Sequence, residues 1–286
     1  MRLLRYGAKG REKPAVFDPE LGHALSLEGV IDDVAGEVLS PDALAGLARV
    51  LRAERKNLAR VPDGARVGPC VGRVGKFLCI GLNYADHAAE TGAKVPDEPE
   101  VFSKATSALS GPFDDVEIPR GAKKVDWEVE LGVVIGKHAK YVPVEKALEY
   151  VAGYCVVNDL SERAFQLERG KQWDKGKGCD TFGPIGPWLV TKDEVPDPQA
   201  LDLWLEVDGK RYQDGNTRTM VFTVAHLVSY LSHFMSLQPG DVVSTGTPPG
   251  VGLGQKPDPI YLRAGQTMRL SIAGLGEQRQ RVVQGS

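Results

Sequence analysis

Three carboxylates in this sequence have the type and spacing to do chemistry. Glu128 and Glu130 stand at i and i+2, and Asp159 closes an apolar run. Between residues 124 and 136 apolar side chains recur at every second position (Val125, Trp127, Val129, Leu131, Val133, Ile135), the period of a β-strand. The other face then begins with Asp126, Glu128 and Glu130 and continues as Gly132 and Val134. Carboxylates two residues apart on one strand face lie about 7 Å from each other, and their repulsion needs compensation by solvent or by a cation. Residues 151–159 are nearly all apolar and end in Asn158-Asp159, so a buried strand delivers a third carboxylate at its tip. Hard oxygen ligands with no Cys or His beside them suit Mg²⁺, Mn²⁺ or Ca²⁺ rather than zinc. Three protein ligands leave about three of six positions open to water or substrate. Taken alone, the 124–136 strand also fits a solvated acidic sheet face that holds no ion.

Other segments carry reactive groups with less defined surroundings. If residues 83–92 are helical, His87 and Glu90 share one face at i and i+3 and can hydrogen-bond. Lys104 follows a short strand and precedes small side chains. Residues 160–176 are polar and read as a helix or lid. The glycine-rich stretch after them holds Lys177 between Gly176 and Gly178, either where backbone approaches a ligand closely or in a plain turn with surface lysines. Residues 237–252 read as a strand running into a Gly/Pro/Thr loop, whose N–H and hydroxyl donors suit an anion. His226 and His233 lie on an amphipathic helix over 224–234 and read as packing or surface residues.

The elements that must position these groups fall into two expected units. Residues 1–70 read as a small N-terminal α+β domain of three short strands and a helix started by Ser40 as N-cap and Pro41 at N1. Residues 71–286 form the larger, strand-rich unit, with a hairpin about Asp208-Gly209. The chain has 286 residues, 42% hydrophobic and 26% charged, which is ordinary globular composition. Its net charge of −3 gives no electrostatic case for nucleic acid or an anionic membrane. Cys70, Cys79, Cys155 and Cys179 show no Cys-x-x-Cys spacing and read as free thiols in a reducing cytoplasm. No dinucleotide fingerprint, Walker loop or Gly-x-Ser-x-Gly elbow occurs.

Four segments in this order resemble the fumarylacetoacetate hydrolase family: Ile80 to His87, Asp126 to Leu131, Val157 to Arg163, and Ser244 to Gly252. The opening residues 3–7 and the late residues 274–278 look like a bacterial subgroup described as 2,4-diketo-3-deoxy-L-fuconate or L-rhamnonate hydrolases, with other members labelled ureidoglycolate lyase or hydroxyheptadienedioate isomerase. The resemblance implies a mixed α+β, β-rich fold of mixed β-sheets rolled into a barrel-like sandwich. It also implies a homodimer and a Mg²⁺ or Mn²⁺ ion. By matching position it makes Glu128, Glu130 and Asp159 metal ligands and His87 and Glu90 the pair that activates water. Lys177 would stabilise an oxyanion and Gln166 would reach the substrate. Thr247 would hold a substrate carboxylate, Arg163 would either steady Asp159 or face the substrate, and Lys104 is a further candidate for substrate binding.

The expected reaction is hydrolytic C–C cleavage of a small 2,4-dioxo acid, with release of pyruvate. The same residues would serve decarboxylation of oxaloacetate, isomerisation of a dienoate or a ureidoglycolate lyase reaction. A binding protein that keeps the ion for stability alone is the non-enzymatic alternative. The expected partner is thus a small 2-oxo acid, with no nucleic acid and no membrane.

Overall fold

The computed structural model describes residues 1–86, 90 and 94–285. Its centre is the strand Val151–Asn158, buried at every position. It pairs antiparallel with Val129–Ile135 on one side and Gly183–Thr191 on the other. Such a strand is apolar throughout because both of its faces are covered. Val156 joins Leu131 and Val133 in a cluster with Leu203, Leu205 and Leu270 of a second sheet. Cys155 and Val157 point the opposite way, into a cluster with Leu39, Leu44 and Leu47.

The large sheet runs, in spatial order, His23–Ser26, Lys13–Asp18, Arg2–Tyr6, Gly183–Thr191, Val151–Asn158, Val129–Ile135, Val242–Ser244, Phe77–Gly81 and Glu100–Lys104. A five-stranded sheet packs on it: Lys210–Asn216, Asp202–Val207, Thr267–Ile272, Gly276–Gln284 and Val116–Ile118. The architecture is strand-rich with few helices, and two packed sheets make a sandwich. Among the described residues the large sheet stays open between its two edge strands rather than closing into a barrel.

The expected boundary near residue 70 does not coincide with a break in this sheet. Arg2–Tyr6 pairs directly with Gly183–Thr191, Leu3 opposite Leu189. The helix Pro41–Glu54 is capped by Ser40, whose side chain accepts from the Ala43 N–H, with Pro41 at its start. It buries Leu44 and Leu47 in the cluster that also holds Phe77, Val134 and Val242. The N-terminal segment therefore shares the core of the larger unit.

Local chemistry sets other elements as the sequence suggests. The helix Val224–Phe234 carries His226 stacked between Phe222 and Tyr230, and His233 against Tyr141. Asp208 and Gly209 both take positive φ in a two-residue hairpin turn. All four cysteines are free.

Two expectations need correction. Residues 124–136 are not one strand: Val125–Asp126 and Val129–Ile135 are separated at Trp127 and Glu128. The first piece pairs with Ser161–Glu162, the second with Val151–Asn158. Trp127 is buried and donates from its indole N–H to the Gly250 carbonyl at 3.1 Å. Further on, Lys177 sits in the short helix Asp174–Lys177 rather than an irregular turn. A Cβ at Gly176 would meet the Glu162 carbonyl at 2.4 Å and the Gln166 nitrogen at 2.6 Å, so this glycine brings that helix against Arg163–Leu167.

Candidate active site

The strand register brings the three acids together. Val157 lies opposite Glu130 and Asn158 opposite Val129. The Asp159 N–H donates to the Glu128 carbonyl at 2.9 Å, and the Asn158 side-chain oxygen accepts from the Glu128 N–H at 3.3 Å. One carboxylate oxygen from each of Glu128, Glu130 and Asp159 lies within 4.8 Å of the other two. Their exposures are 6%, 1% and 0%, so solvent does not screen them.

The three acids have unequal neighbours. Glu128 accepts from Arg163 Nη2 at 2.7 Å and from Lys177 Nζ at 2.6 Å. Burial opposes its charge, but Lys177 and Arg163 outweigh burial and bring its pKa down to about 2. Asp159 accepts from Lys177 at 2.7 Å and from Lys104. Glu130 accepts from neutral groups, the Ser244 hydroxyl at 2.6 Å and the Gly246 N–H at 2.9 Å. Burial, then the charges of Asp159 and Glu128, push its pKa well above the ordinary value. Gly246 has φ +95°, and a Cβ there would meet that of Asn83 at 2.8 Å, so glycine is needed where the backbone turns its N–H to Glu130.

A cavity of about 280 Å³ opens over this cluster. Glu128, Glu130, Arg163, Gln166, Lys177 and Thr247 line its polar side, and Leu82, Phe102, Leu167, Trp173, Val251 and Leu253 line much of the rest.

The other expected site residues divide between cavity and support. Gln166 accepts from Arg163 Nη1 at 3.1 Å through its amide oxygen. Lys177 Nζ bridges Glu128 and Asp159 and lies 5.0 Å from the Phe102 ring centre. Burial lowers the lysine's proton affinity, but Asp159 and Glu128 outweigh it and raise its pKa. Lys104 does not line the cavity. It is buried beneath Asp159, donating to that carboxylate and to the Leu160 carbonyl. Thr247 lines the cavity, but its hydroxyl donates to the Val129 carbonyl at 2.9 Å and accepts from Gln213 at 2.8 Å. Its hydroxyl proton is therefore held inward rather than offered to a ligand carboxylate. Glu90 accepts from the Gly250 N–H at 3.0 and 3.1 Å. His87, its expected partner, lies outside the described residues.

Arg163 steadies more than one acid. Besides Glu128 it donates from Nε to Asp126 at 2.8 Å. Asp126 also accepts from the Gly252 and Leu253 N–H groups at 2.6 and 2.9 Å. The expectation that Asp126 continues one face with Glu128 and Glu130 fails at the strand break, and Asp126 instead ties the 250–254 loop to Arg163. Asn83 and Ser244 lie in segments that resemble the family but have no role expected from the sequence, and Gln213 has none either. Gln213 accepts from the Val129 N–H at 2.9 Å and Asn83 donates to the Thr245 carbonyl at 2.8 Å. The signal available was a lone amide in an alternating strand for Gln213, and an Asn directly after an apolar strand for Asn83.

The donor set fits a hard divalent cation. Four buried carboxylates, Asp126 included, meet three buried cations, Lys104, Arg163 and Lys177. Glu130, which accepts hydrogen bonds from the neutral Ser244 hydroxyl and Gly246 N–H, is the acid most in need of further positive charge.

The family model described as Fumarylacetoacetate (FAA) hydrolase C-terminal matches residues 76–283. A protein of Burkholderia orbicola with the provisional name of hydrolase is 65% identical over 98% of each chain. A fumarylacetoacetate hydrolase of Exiguobacterium antarcticum superposes with TM-score 0.84 at 32% identity, covering 100% of both chains. The maleylpyruvate hydrolase of Sphingobium sp. SYK-6, solved with manganese(II) and pyruvate, does so with TM-score 0.82 at 30% identity, again over 100% of both.

Proposed function

The chain belongs to the fumarylacetoacetate hydrolase family, and from that premise we propose that it is a divalent-metal-dependent hydrolase that splits a small 2,4-dioxo acid into pyruvate and a carboxylic acid. The observation that carries this reading is the convergence of Glu128, Glu130 and Asp159 within 4.8 Å, with Glu128 and Glu130 lining a cavity. These three would hold Mg²⁺ or Mn²⁺. When bound, the ion supplies Lewis-acid stabilisation of negative charge on the oxygens of the 2-oxo acid.

The chain's own side chains do the rest. Arg163 fixes Glu128 through a hydrogen bond of 2.7 Å. Lys177, kept protonated by Asp159 and Glu128, presents a cation at the cavity wall where an oxyanion develops. With its oxygen engaged by Arg163, Gln166 has its NH₂ end for a substrate oxygen. Glu90, anchored by Gly250, would orient His87, which takes a proton from water. The water oxygen adds to C4, the C3–C4 bond breaks with its electron pair passing to C3, and protonation there gives pyruvate. General-base assistance of this kind contributes roughly 10²- to 10⁴-fold.

The test is pyruvate release from 2,4-dioxo acids with and without Mg²⁺ or Mn²⁺. Metal-dependent release, lost together with metal binding in Glu128→Ala, is expected. Turnover that persists in chelator would refute the metal's role. Conversion of substrate without cleavage would replace the hydrolase with an isomerase.

A further inference from the structure

We infer that the substrate end remote from the 2-oxo acid is apolar, so that the preferred substrates are acylpyruvates bearing an alkyl or aryl acyl group. Chains ending in a carboxylate or several hydroxyls are disfavoured. The inference rests on the proposed function, because it takes the 2-oxo acid to sit at the carboxylate cluster.

The cavity has two unlike sides. Away from Glu128 and Glu130, its wall is made of Leu82, Phe102, Leu167, Trp173, Val251 and Leu253. Phe102 and Trp173 stand with ring centres 5.3 Å apart at 59°, a tilted aromatic pair. Gly81 permits it: a Cβ there would meet the Trp173 ring at 2.6 Å. Loop 250–254 supplies Val251 and Leu253 and is held in place by Asp126 and Glu90.

Among the described residues, the cations lining the cavity are Arg163 and Lys177. Both are already engaged: Arg163 with Asp126 and Glu128, Lys177 with Glu128 and Asp159. Among the described residues, a carboxylate at the far end of a substrate would lose its hydration against this wall with no free cation to meet it, a strongly unfavourable exchange. Hydroxyl groups set against Leu82, Phe102, Leu167, Trp173, Val251 and Leu253 would likewise be desolvated without partners from those side chains. An alkyl or phenyl group gains from the same wall. At about 280 Å³ the space is at the small end of ligand sites, which span roughly 300–1,000 Å³, and suits a short alkyl chain or a single ring. Maleylpyruvate, named for the Sphingobium relative, carries a second carboxylate, so the inferred preference separates this chain from that relative.

The experiment compares kcat/KM, with Mn²⁺ present, for acetylpyruvate, butanoylpyruvate, benzoylpyruvate and an acylpyruvate ending in a carboxylate. Alongside, calorimetry measures binding of two uncleavable 2-oxo acids, 2-oxo-4-phenylbutanoate and 2-oxoadipate. Butanoylpyruvate, two methylenes longer, should exceed acetylpyruvate by about 100-fold or more, since each methylene in an apolar pocket is worth roughly 10- to 200-fold. The carboxylate-ended substrate should be poorest, and 2-oxo-4-phenylbutanoate should bind at least tenfold tighter than 2-oxoadipate. Leu167→Lys, at a half-exposed position at the cavity edge, should narrow that ratio by raising affinity for 2-oxoadipate. Cleavage of the carboxylate-ended substrate as fast as the alkyl ones overturns this inference and leaves the hydrolase reading standing. No cleavage at all, with the binding preference intact, refutes the hydrolase reading and supports the apolar end. Equal or reversed binding of the two probes, or no binding of either, overturns the inference.

Discussion

The floor and the wall of one cavity follow opposite rules. At the floor and just beneath it, Asp126, Glu128, Glu130 and Asp159 are buried with Lys104, Arg163 and Lys177 in a network of ion pairs and hydrogen bonds. On the wall, Leu82, Trp173, Val251 and Leu253 offer shape and little else. A buried charge network tolerates no lost member, because the remaining partner is stranded in a medium that does not solvate it. An apolar wall loses contacts a few at a time. The floor should therefore govern whether the protein works at all, and the wall what it works on.

The largest effect tests the floor. Glu130→Ala should reduce Mn²⁺ affinity and turnover together, by more than the roughly 10- to 100-fold typical of outer partners of metal ligands. Parallel calorimetry and rate measurements decide this; a variant that keeps both would remove Glu130 from the centre. Next, Arg163→Ala leaves, among the described residues, buried Asp126 with no cation and Glu128 with Lys177 alone, and should destabilise the protein by about 3–5 kcal/mol, read from denaturant midpoints. A loss below about 1 kcal/mol would mean that solvent reaches those acids. The wall answers more softly. Leu253→Ala should lower kcat/KM for a long alkyl acylpyruvate by about tenfold, within the 1–3 kcal/mol range for small changes in apolar pockets. Acetylpyruvate, which reaches the wall least, should be affected least. An equal loss on both substrates would show that Leu253 serves the floor.

The smallest effect is in pH. Glu128, with its pKa brought down to about 2, adds stability above the unfolded-state value of about 4.5, lost as pH falls from there towards 2. Glu130 behaves oppositely: its raised pKa means its contribution is full below about 4.5 and is lost as pH rises through its folded-state value. A divalent ion at Glu130 relieves that penalty, so the rise in Tm caused by Mn²⁺ should be larger at pH 8 than at pH 5.5. A rise independent of pH would contradict the crowding of Glu130.

The sequence revealed the floor better than its supports, for a physical reason. Short-range pattern exposed the Val151–Asn158 strand, the Ser40 cap and the helix Val224–Phe234, because periodicity and capping are local. Glu128, Glu130 and Asp159 stood out because acids interrupting apolar strands are conspicuous. The break at Trp127 and Glu128 was not legible, since alternation continues through it. What separates the two strands is their different partners, Ser161–Glu162 and Val151–Asn158, brought near by the fold. The inward hydrogen bonds of Lys104 and Thr247 likewise depend on neighbours 55 and 118 positions away. Ser244 and Gln213 are unremarkable as sequence and gain their roles only when the sheets assemble.

The most direct test is calorimetric titration of the wild-type chain and Glu130→Gln with Mn²⁺, in two buffers of different ionisation enthalpy. The wild type should bind Mn²⁺ and release protons, more of them at lower pH, while Glu130→Gln should bind far more weakly and release fewer. Absence of Mn²⁺ binding by the wild type, or equal affinity in the variant, would contradict a metal centre built on Glu128, Glu130 and Asp159.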